Sequence, residues 1–517
     1  MNRTRAAINN IFGSMVQQFL TLFSGIVITK IILNAYGSEI NGLISSITQF
    51  IMYFTLLEAG LAGASIYALY KPLADNDIKS INGIVSATNK YYLVIFRIFL
   101  FLVLGLAFIY PQFITVDSMT RLEVGLFVII LSASGLLEFL TLAKYRAILM
   151  ADQKSYVLSY ATSAYTIVNI LIIYILVEMN MNILTVRFIA IFSIVLRVIL
   201  LSIYINNRYR YLDFKAIPNK LALNDRWNVF FLQLLISAQH GSPIVLATIF
   251  TNLKMVSVFS IYNLVMSGVN NLLGLITSGI TASFGNIIAK GEKSLLQKTV
   301  DEFEFIYYSV LIVLYSVTLA MIMPFIRLYI SNIADTNYDM KYLALLFVLN
   351  GFMYNLQTPH GLLVASAGLF KETRIQSTIQ ALLLVGFGSV FAYFFGIYGI
   401  LIGGFISNLY RTIDLVIFIS TNLTKRGLAK CFYRIGRSFV LLFVNVILVS
   451  YLNFNPSNYV VLVLYASISF ILSIVVIYLY SWLFEKKDLL IVQMRIFNTV
   501  KMYKKKAVHT DVAKNSK

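Results

Sequence analysis

Nine ionisable side chains stand inside long apolar stretches of this 517-residue sequence: Lys30, Glu58, Arg97, Glu138, Arg197, His240, His360, Arg411 and Asp414. A charge at bilayer depth is costly, and by default it marks a transport route or a binding site. Arginine presents a planar fork of donors that suits phosphate or diphosphate better than the point charge of lysine. Arg411 lies about ten residues from the nearer end of its span, roughly 15 Å deep, beyond comfortable snorkelling. Arg197 and Arg411 are therefore the candidate binders of a phosphate or diphosphate. Asp414, one turn from Arg411, reads either as its structural partner or as an ion-coupling group. Glu58 and Glu138 are mid-membrane carboxylates of the kind that exchange a proton or cation, or else paired structural acids. Lys30 and Arg97 lie near span ends, where they either snorkel or line a cavity. His240 and His360 sit alone in their spans, and such histidines read as cavity residues or as packing residues held by hydrogen bonds.

Enzyme chemistry is scarce. Three histidines and the single Cys431 supply no metal cluster. There is no phosphate-cradling glycine loop and no nucleotide-binding lysine motif. No catalytic residue, cofactor or metal is expected. Energy for any transport has to come from an ion gradient, the membrane potential or the substrate's own gradient.

The elements that carry these residues are membrane spans. The chain is 59% hydrophobic and 12% charged, with a mean hydropathy of +0.81, more apolar surface than a soluble core can hide. About 20 apolar residues cross a bilayer, and on that basis about fourteen spans are predicted. They fall near 8–33, 42–70, 91–113, 124–149, 157–178 and 183–205, then 228–250, 257–289, 303–326, 341–369, 375–396 and 398–420, with two more at 438–454 and 459–484. The net charge of +19 would suggest nucleic acid in a soluble protein. Here the basic residues sit in short loops on one side, and the opposite loops hold only Arg121, Lys254, Arg327 and Lys341. This is the positive-inside bias, so no nucleic-acid partner is expected and both termini are expected in the cytoplasm. The first apolar run has no cleavage site behind it and reads as a retained span.

The longest polar interruption before the tail is 206–226, with Arg208, Arg210, Lys215, Lys220 and Arg226. It is read as a cytoplasmic linker between an N-lobe, 1–205, and a C-lobe, 227–420. Two extra helices occupy 421–484, and a basic tail follows at 485–517. In the tail, Leu489, Val492, Ile496, Val500 and Tyr503 recur at helical spacing, which suits either a helix lying on anionic lipids or a solvated basic end. The two lobes read as a repeat. Glu58-Ala-Gly60 and Lys71 match Thr277-Ser-Gly279 and Lys290, Lys154 matches Lys371, and Ser193-x-x-x-Arg197 matches Ser407-x-x-x-Arg411, at shifts of 219, 217 and 214. Six spans per lobe make the two copies parallel, related by a pseudo-twofold axis along the membrane normal. Polar stripes mark the first span, with Gln18, Thr21 and Gly25, and the eighth, with Asn263, Asn270 and Gly274; each lines a cavity or packs closely. Gln239-His240-Gly241-Ser242-Pro243 reads as a break in the seventh span.

Two stretches resemble a known family. Leu57-Glu58-Ala59-Gly60-Leu61-Ala62-Gly63-Ala64, running into Tyr70-Lys71-Pro72-Leu73-Ala74-Asp75-Asn76-Asp77 and Ile81-Asn82, is similar to the second span and following loop of Wzx-type polysaccharide flippases. Tyr145-Arg146-Ala147 with Ala151-Asp152-Gln153-Lys154-Ser155-Tyr156-Val157 resembles the same family, which belongs to the multidrug/oligosaccharidyl-lipid/polysaccharide (MOP) superfamily. The resemblance covers about residues 1–430. It implies an all-α fold with two six-helix lobes in a V shape, and a bacterial cytoplasmic membrane. It also implies a polyprenyl-diphosphate-linked oligosaccharide as cargo, moved from the inner to the outer leaflet by alternating access, with polysaccharide polymerase and glycosyltransferases as further partners. The two C-terminal helices resemble the lipid II flippase branch. A multidrug/cation antiporter of the same superfamily and a non-transporting scaffold of a polysaccharide assembly complex are the alternatives.

Overall fold

Long apolar runs leave the backbone no partner but itself in lipid, and the chain answers with helices. The computed structural model describes residues 3–219, 226–277, 280–451 and 455–495. Among them there is no strand, only an isolated bridge between Val116 and Met119. Eleven of the described helices are long and apolar enough to cross a membrane, and large apolar side chains such as Phe101, Phe108 and Phe113 point outward from them. The protein is an all-helical, multi-pass membrane protein.

Contacts divide the chain into two compact units. The first is Met1–Leu264 with Asn332–Asn337 and Gly388–Ile400. Its helices are α1 (Arg3–Thr55), α2 (Ala59–Asp75), α3 (Ile78–Phe113), α4 (Arg121–Leu137), α5 (Ala143–Ala151), α6 (Ser155–Glu178), α7 (Ile183–Ala190), α8 (Phe192–Arg208), α9 (Arg226–Phe250) and the start of α10 (Leu253–Thr277). α1 is two spans joined at a kink. Gly37 takes φ +79°, open to glycine and strained for other residues, and the Asp335 carboxylate then caps the second segment, accepting from Ser38 N at 2.7 Å and Ser38 Oγ at 2.6 Å. The connection between the predicted spans 8–33 and 42–70 is this kink. Leu43, Ile47, Phe99, Phe127 and Val128 form one core of the unit; Leu69, Val85, Ile148, Leu149 and Leu201 form another.

The second unit is Val265–Ser331, Tyr338–Phe387 and Leu401–Lys517. It holds the rest of α10, then α11 (Ile280–Ala289), α12 (Lys293–Tyr329), α13 (Lys341–Leu356), α14 (Thr358–Ala367), most of α15 (Arg374–Phe395) and α16 (Ile397–Ile419), α17 (Leu428–Ser450) and α18 (Tyr459–Phe484). A last described helix covers 486–495. Leu489 and Val492 of this helix bury themselves against Phe305 of α12. The start of the tail is thus docked on the protein. The remainder, 496–517, including Ile496, Val500 and Tyr503, lies outside the described residues.

The polar segment 206–226, read from the sequence as a linker, does not hang free over its described part. Asn82 donates to Tyr211 O and accepts from Asp213 N, Ser86 Oγ donates to Ala216 O, and Asn219 N donates to Gly83 O, so 209–219 lies along the start of α3. Lys220 and 221–225 lie outside the described residues.

The seventh span is not broken. α9 runs continuously through Pro243, and the Gly241-Ser242 step is a close contact with α1. A Cβ on Gly241 would overlap the Gln49 amide and come 2.8 Å from Tyr53 Oη, and Tyr53 Oη lies 3.3 Å from Ser242 Oγ. Small residues there let two backbones approach. The breaks occur elsewhere, at the 3-10 turn Leu56–Glu58, the π turn Glu138–Leu142 and the junction of α13 and α14 at Gln357. Glu58, Glu138 and His360, three of the intramembrane ionisable residues, sit at or beside these irregular turns.

Candidate functional site

In the first unit, Glu58 closes the 3-10 turn before α2, Glu138 opens the π turn after α4, Arg146 lies in α5 and Arg197 in α8. The widened π turn displaces Glu138 from the face that a regular helix would give it, a device common at functional sites. These four side chains meet. Arg146 Nη1 lies 2.8 Å from Glu58 Oε1, and its Nη2 donates to Glu58 Oε2 at 3.2 Å and to Glu138 Oε1 at 3.0 Å. Arg197 Nη1 is 3.5 Å from Glu138 Oε2. Two guanidiniums and two carboxylates balance in charge, which makes the cluster tolerable in a membrane. The ring of Tyr92, fully buried, stacks on Phe139 directly after Glu138.

The two arginines are held very differently. Arg146 bridges both acids at short range. Arg197 keeps one long contact, beyond the usual 2.7–2.9 Å or so of a charge-assisted bond, and its buried Nε has no hydrogen-bond partner among the described residues. Arg197 therefore retains unused donors.

In the second unit, Arg411 Nη1 donates to Asp414 Oδ2 at 2.6 Å and Nη2 to Ser377 Oγ at 2.9 Å. A polar ladder continues one turn away: Ser407 Oγ donates to Gln380 O, Gln380 to Asn408, and Asn408 to Asn350. Asn270 accepts from Asn355, which also reaches Tyr315. That part of the polar stripe on α10 is a hydrogen-bonded seam. Gln18, Lys30, Arg97 and Asn263 join neither arginine cluster among the described residues. Gln18, Lys30 and Asn263 are half-buried and Arg97 is exposed along α3. The side chain of His240 lies outside the described residues.

A third charged cluster was not expected. Glu304 on α12, fully buried, accepts from Arg426 at 2.7 and 2.6 Å and from Arg434 at 3.1 Å; Asp301 and Asp488 complete the ring, with Asp301 Oδ1 2.6 Å from Arg426 Nη2 and Asp488 Oδ2 2.8 Å from Arg434 Nη2. His360 Nε2 is 3.4 Å from Glu304 Oε1. Glu304, His360 and Cys431 place a carboxylate, an imidazole and a thiol within 4.8 Å of one another, donors a metal could use. Two guanidiniums already on Glu304 oppose a further cation, and the physical role of the group is to tie α12 to the chain around α17. The signal for it was present in the sequence as the acids Asp301 and Glu304 and the bases Arg426 and Arg434, but only folding pairs residues more than a hundred positions apart. Arg146 was missed as a site residue because it stands near the end of its predicted span.

No family model and no curated protein matches the chain. Solved structures do. The lipid II flippase MurJ, in an inward closed conformation, superposes with a TM-score of 0.65 at 15% identity, over 92% of this chain and 99% of that one. A multidrug resistance MATE family transporter of the MOP superfamily gives 0.59 in its inward-facing conformation, at 16% identity over 82% of this chain and 99% of that one. An outward-facing MATE structure of the same superfamily gives 0.54 at 16% identity, over 83% and 96%. At these identities the likeness is one of fold.

Proposed function

We propose that this protein is a flippase for a polyprenyl-diphosphate-linked oligosaccharide, carrying it from the cytoplasmic to the outer leaflet of a bacterial plasma membrane by alternating access, both termini being cytoplasmic. The observation that carries the reading is the cluster of Glu58, Glu138, Arg146 and Arg197 at two irregular turns, in a fold shared with a lipid II flippase over nearly the whole chain. Arg197, with spare donors, receives the diphosphate, and Arg411 is its repeat-related counterpart on the C-lobe. Arg146 stays on Glu58 and keeps the acids in place. As the anion takes Arg197, Glu138 loses one of its two cations and becomes the group best placed to gain a proton or a small cation. Binding of cargo and of the coupling ion thereby favour each other.

The test uses cells depleted of the protein. The expected result is a diphosphate-linked oligosaccharide that accumulates in the inner leaflet and is cleared by the wild type but not by a well-expressed Arg197→Ala variant. Loss of drug or cation efflux with no such lipid would transfer the protein to the antiporters. A fully active Arg197→Ala variant would remove Arg197 from the cargo site.

A further inference from the structure

One cavity opens beside the third cluster and shares Asp301 and Asp488 with it. It has a volume of about 350 Å³ and opens where the starts of α12 and α17 meet helix 486–495, all in the second unit. Lys298, Lys430 and Lys487 line it, together with Asp301, Glu302 and Asp488. Each of the three acids is already held by a guanidinium: Asp301 by Arg426 at 2.6 Å and Arg434 at 3.3 Å, Asp488 by Arg434 at 2.8 Å, and Glu302 by Arg495. Lys430 adds a contact of 3.0 Å to Asp301. Lys298 and Lys487, both exposed, make no ion pair among the described residues. The lining thus carries uncommitted positive charge on two different elements, aimed at one space.

Its surroundings fix the level in the membrane. Trp482 closes α18 with Lys486 Nζ 6.0 Å over its ring, an anchor typical of the headgroup zone. On helix 486–495, Leu489 and Val492 face the protein, Ile491 lines the cavity, and Leu490 and Met494 are exposed on the same helix. The cavity lies at the same end of the helices as the Lys-rich loops, the cytoplasmic end by the positive-inside bias.

We propose that this cavity binds the phosphate of an anionic glycerophospholipid of the inner leaflet. The phosphodiester bridges Lys298 on α12 and Lys487 on the last helix, with Lys430 of α17 beside it. The acyl chains then continue along the exposed apolar faces at the membrane boundary. The lipid becomes a fourth strand of the ionic staple that Asp301, Glu302 and Asp488 already make, and it joins the tail to α12. Free phosphate shares the headgroup chemistry but lacks the acyl contacts.

The experiment is lipid retention by the full-length protein, measured by native mass spectrometry after exchange into phosphatidylglycerol or phosphatidylcholine. Phosphatidylglycerol should be retained in preference to phosphatidylcholine. Two lysines near an anionic surface are each worth enough that K298A/K487A should weaken retention roughly thirtyfold. K298R/K487R should retain lipid as the wild type does, and K71A/K79A, two exposed lysines of the first unit, should change nothing. If the alanine pair is not monodisperse, the single variants K298A and K487A decide, with roughly fivefold expected for each. Wild-type retention by the alanine variants, or equal retention of the two lipids, overturns the proposal. Complete displacement of lipid by millimolar inorganic phosphate overturns it too, in favour of a soluble phosphate ligand.

Discussion

Arg197 and Arg411 occupy matching places in the sequence, yet their surroundings differ in a way that separates binding from bracing. Arg411 spends its terminal nitrogens on Asp414 and Ser377 at 2.6 and 2.9 Å, while Arg197 has one contact at 3.5 Å. Arg197→Lys should preserve charge and folding but lose the fork, lowering flux by on the order of tenfold or more in a leaflet-transfer assay. Arg411→Gln alone strands the Asp414 carboxylate and should destabilise the protein by roughly 3 kcal/mol, visible as a lower melting temperature in detergent. Adding Asp414→Asn removes the stranded charge and should restore stability. If Arg411 contacts cargo, the double variant folds and does not transport; full flux from it would confine Arg411 to a structural role.

Helix contacts depend on where a side chain would have to fit. A Cβ on Gly42 of α1 would run into the Leu253 carbonyl at the start of α10, a backbone atom that cannot rotate away. Gly63 on α2 has nothing within 4 Å. Gly42→Ala should therefore cost at least about 2 kcal/mol or abolish folding, whereas Gly63→Ala should stay within about 1 kcal/mol of the wild type or gain slightly from helix propensity. Equal melting temperatures for the two variants would contradict this contact. The last helix is a second element-scale case. Arg434 and Arg437 are buried, and their partners Asp488 and Glu485 lie at its start. Truncation before Glu485 leaves both arginines short of a carboxylate and should lower thermal stability sharply, read as a lower melting temperature in detergent.

For the whole molecule the distribution of lysine and arginine predicts one orientation. In a Cys431→Ser background, a cysteine at Lys215 should react only with reagents that cross the membrane, and one at Asp335, an exposed position, should react with an impermeant reagent from outside. Labelling of position 215 by an impermeant reagent would invert the topology and, with it, the proposed direction of flipping. The structural likeness to a lipid II flippase and to MATE transporters is one of fold, and one fold hosts many functions, so cargo chemistry has to be decided at the arginine sites.

By itself the sequence determined the membrane class, the ends of most helices and the ionisable positions worth attention. Hydrophobic length and charge are local properties, and a bilayer imposes the same requirement on every span. The boundaries predicted for 157–178 and 459–484 lie close to α6 and α18 for that reason. Only the tertiary structure decided which charges meet. Glu58 and Arg146 are 88 positions apart, and Glu304 and Arg426 are 122 apart. No periodicity links such pairs. The breaks at Glu58 and Glu138 were equally silent, because neither carries the glycine or proline by which a sequence announces a break, while Gly241 and Pro243, which do, lie in a continuous helix. Local rules register what a backbone can do alone; a π turn that aims an acid at two arginines is held by neighbours that only folding supplies.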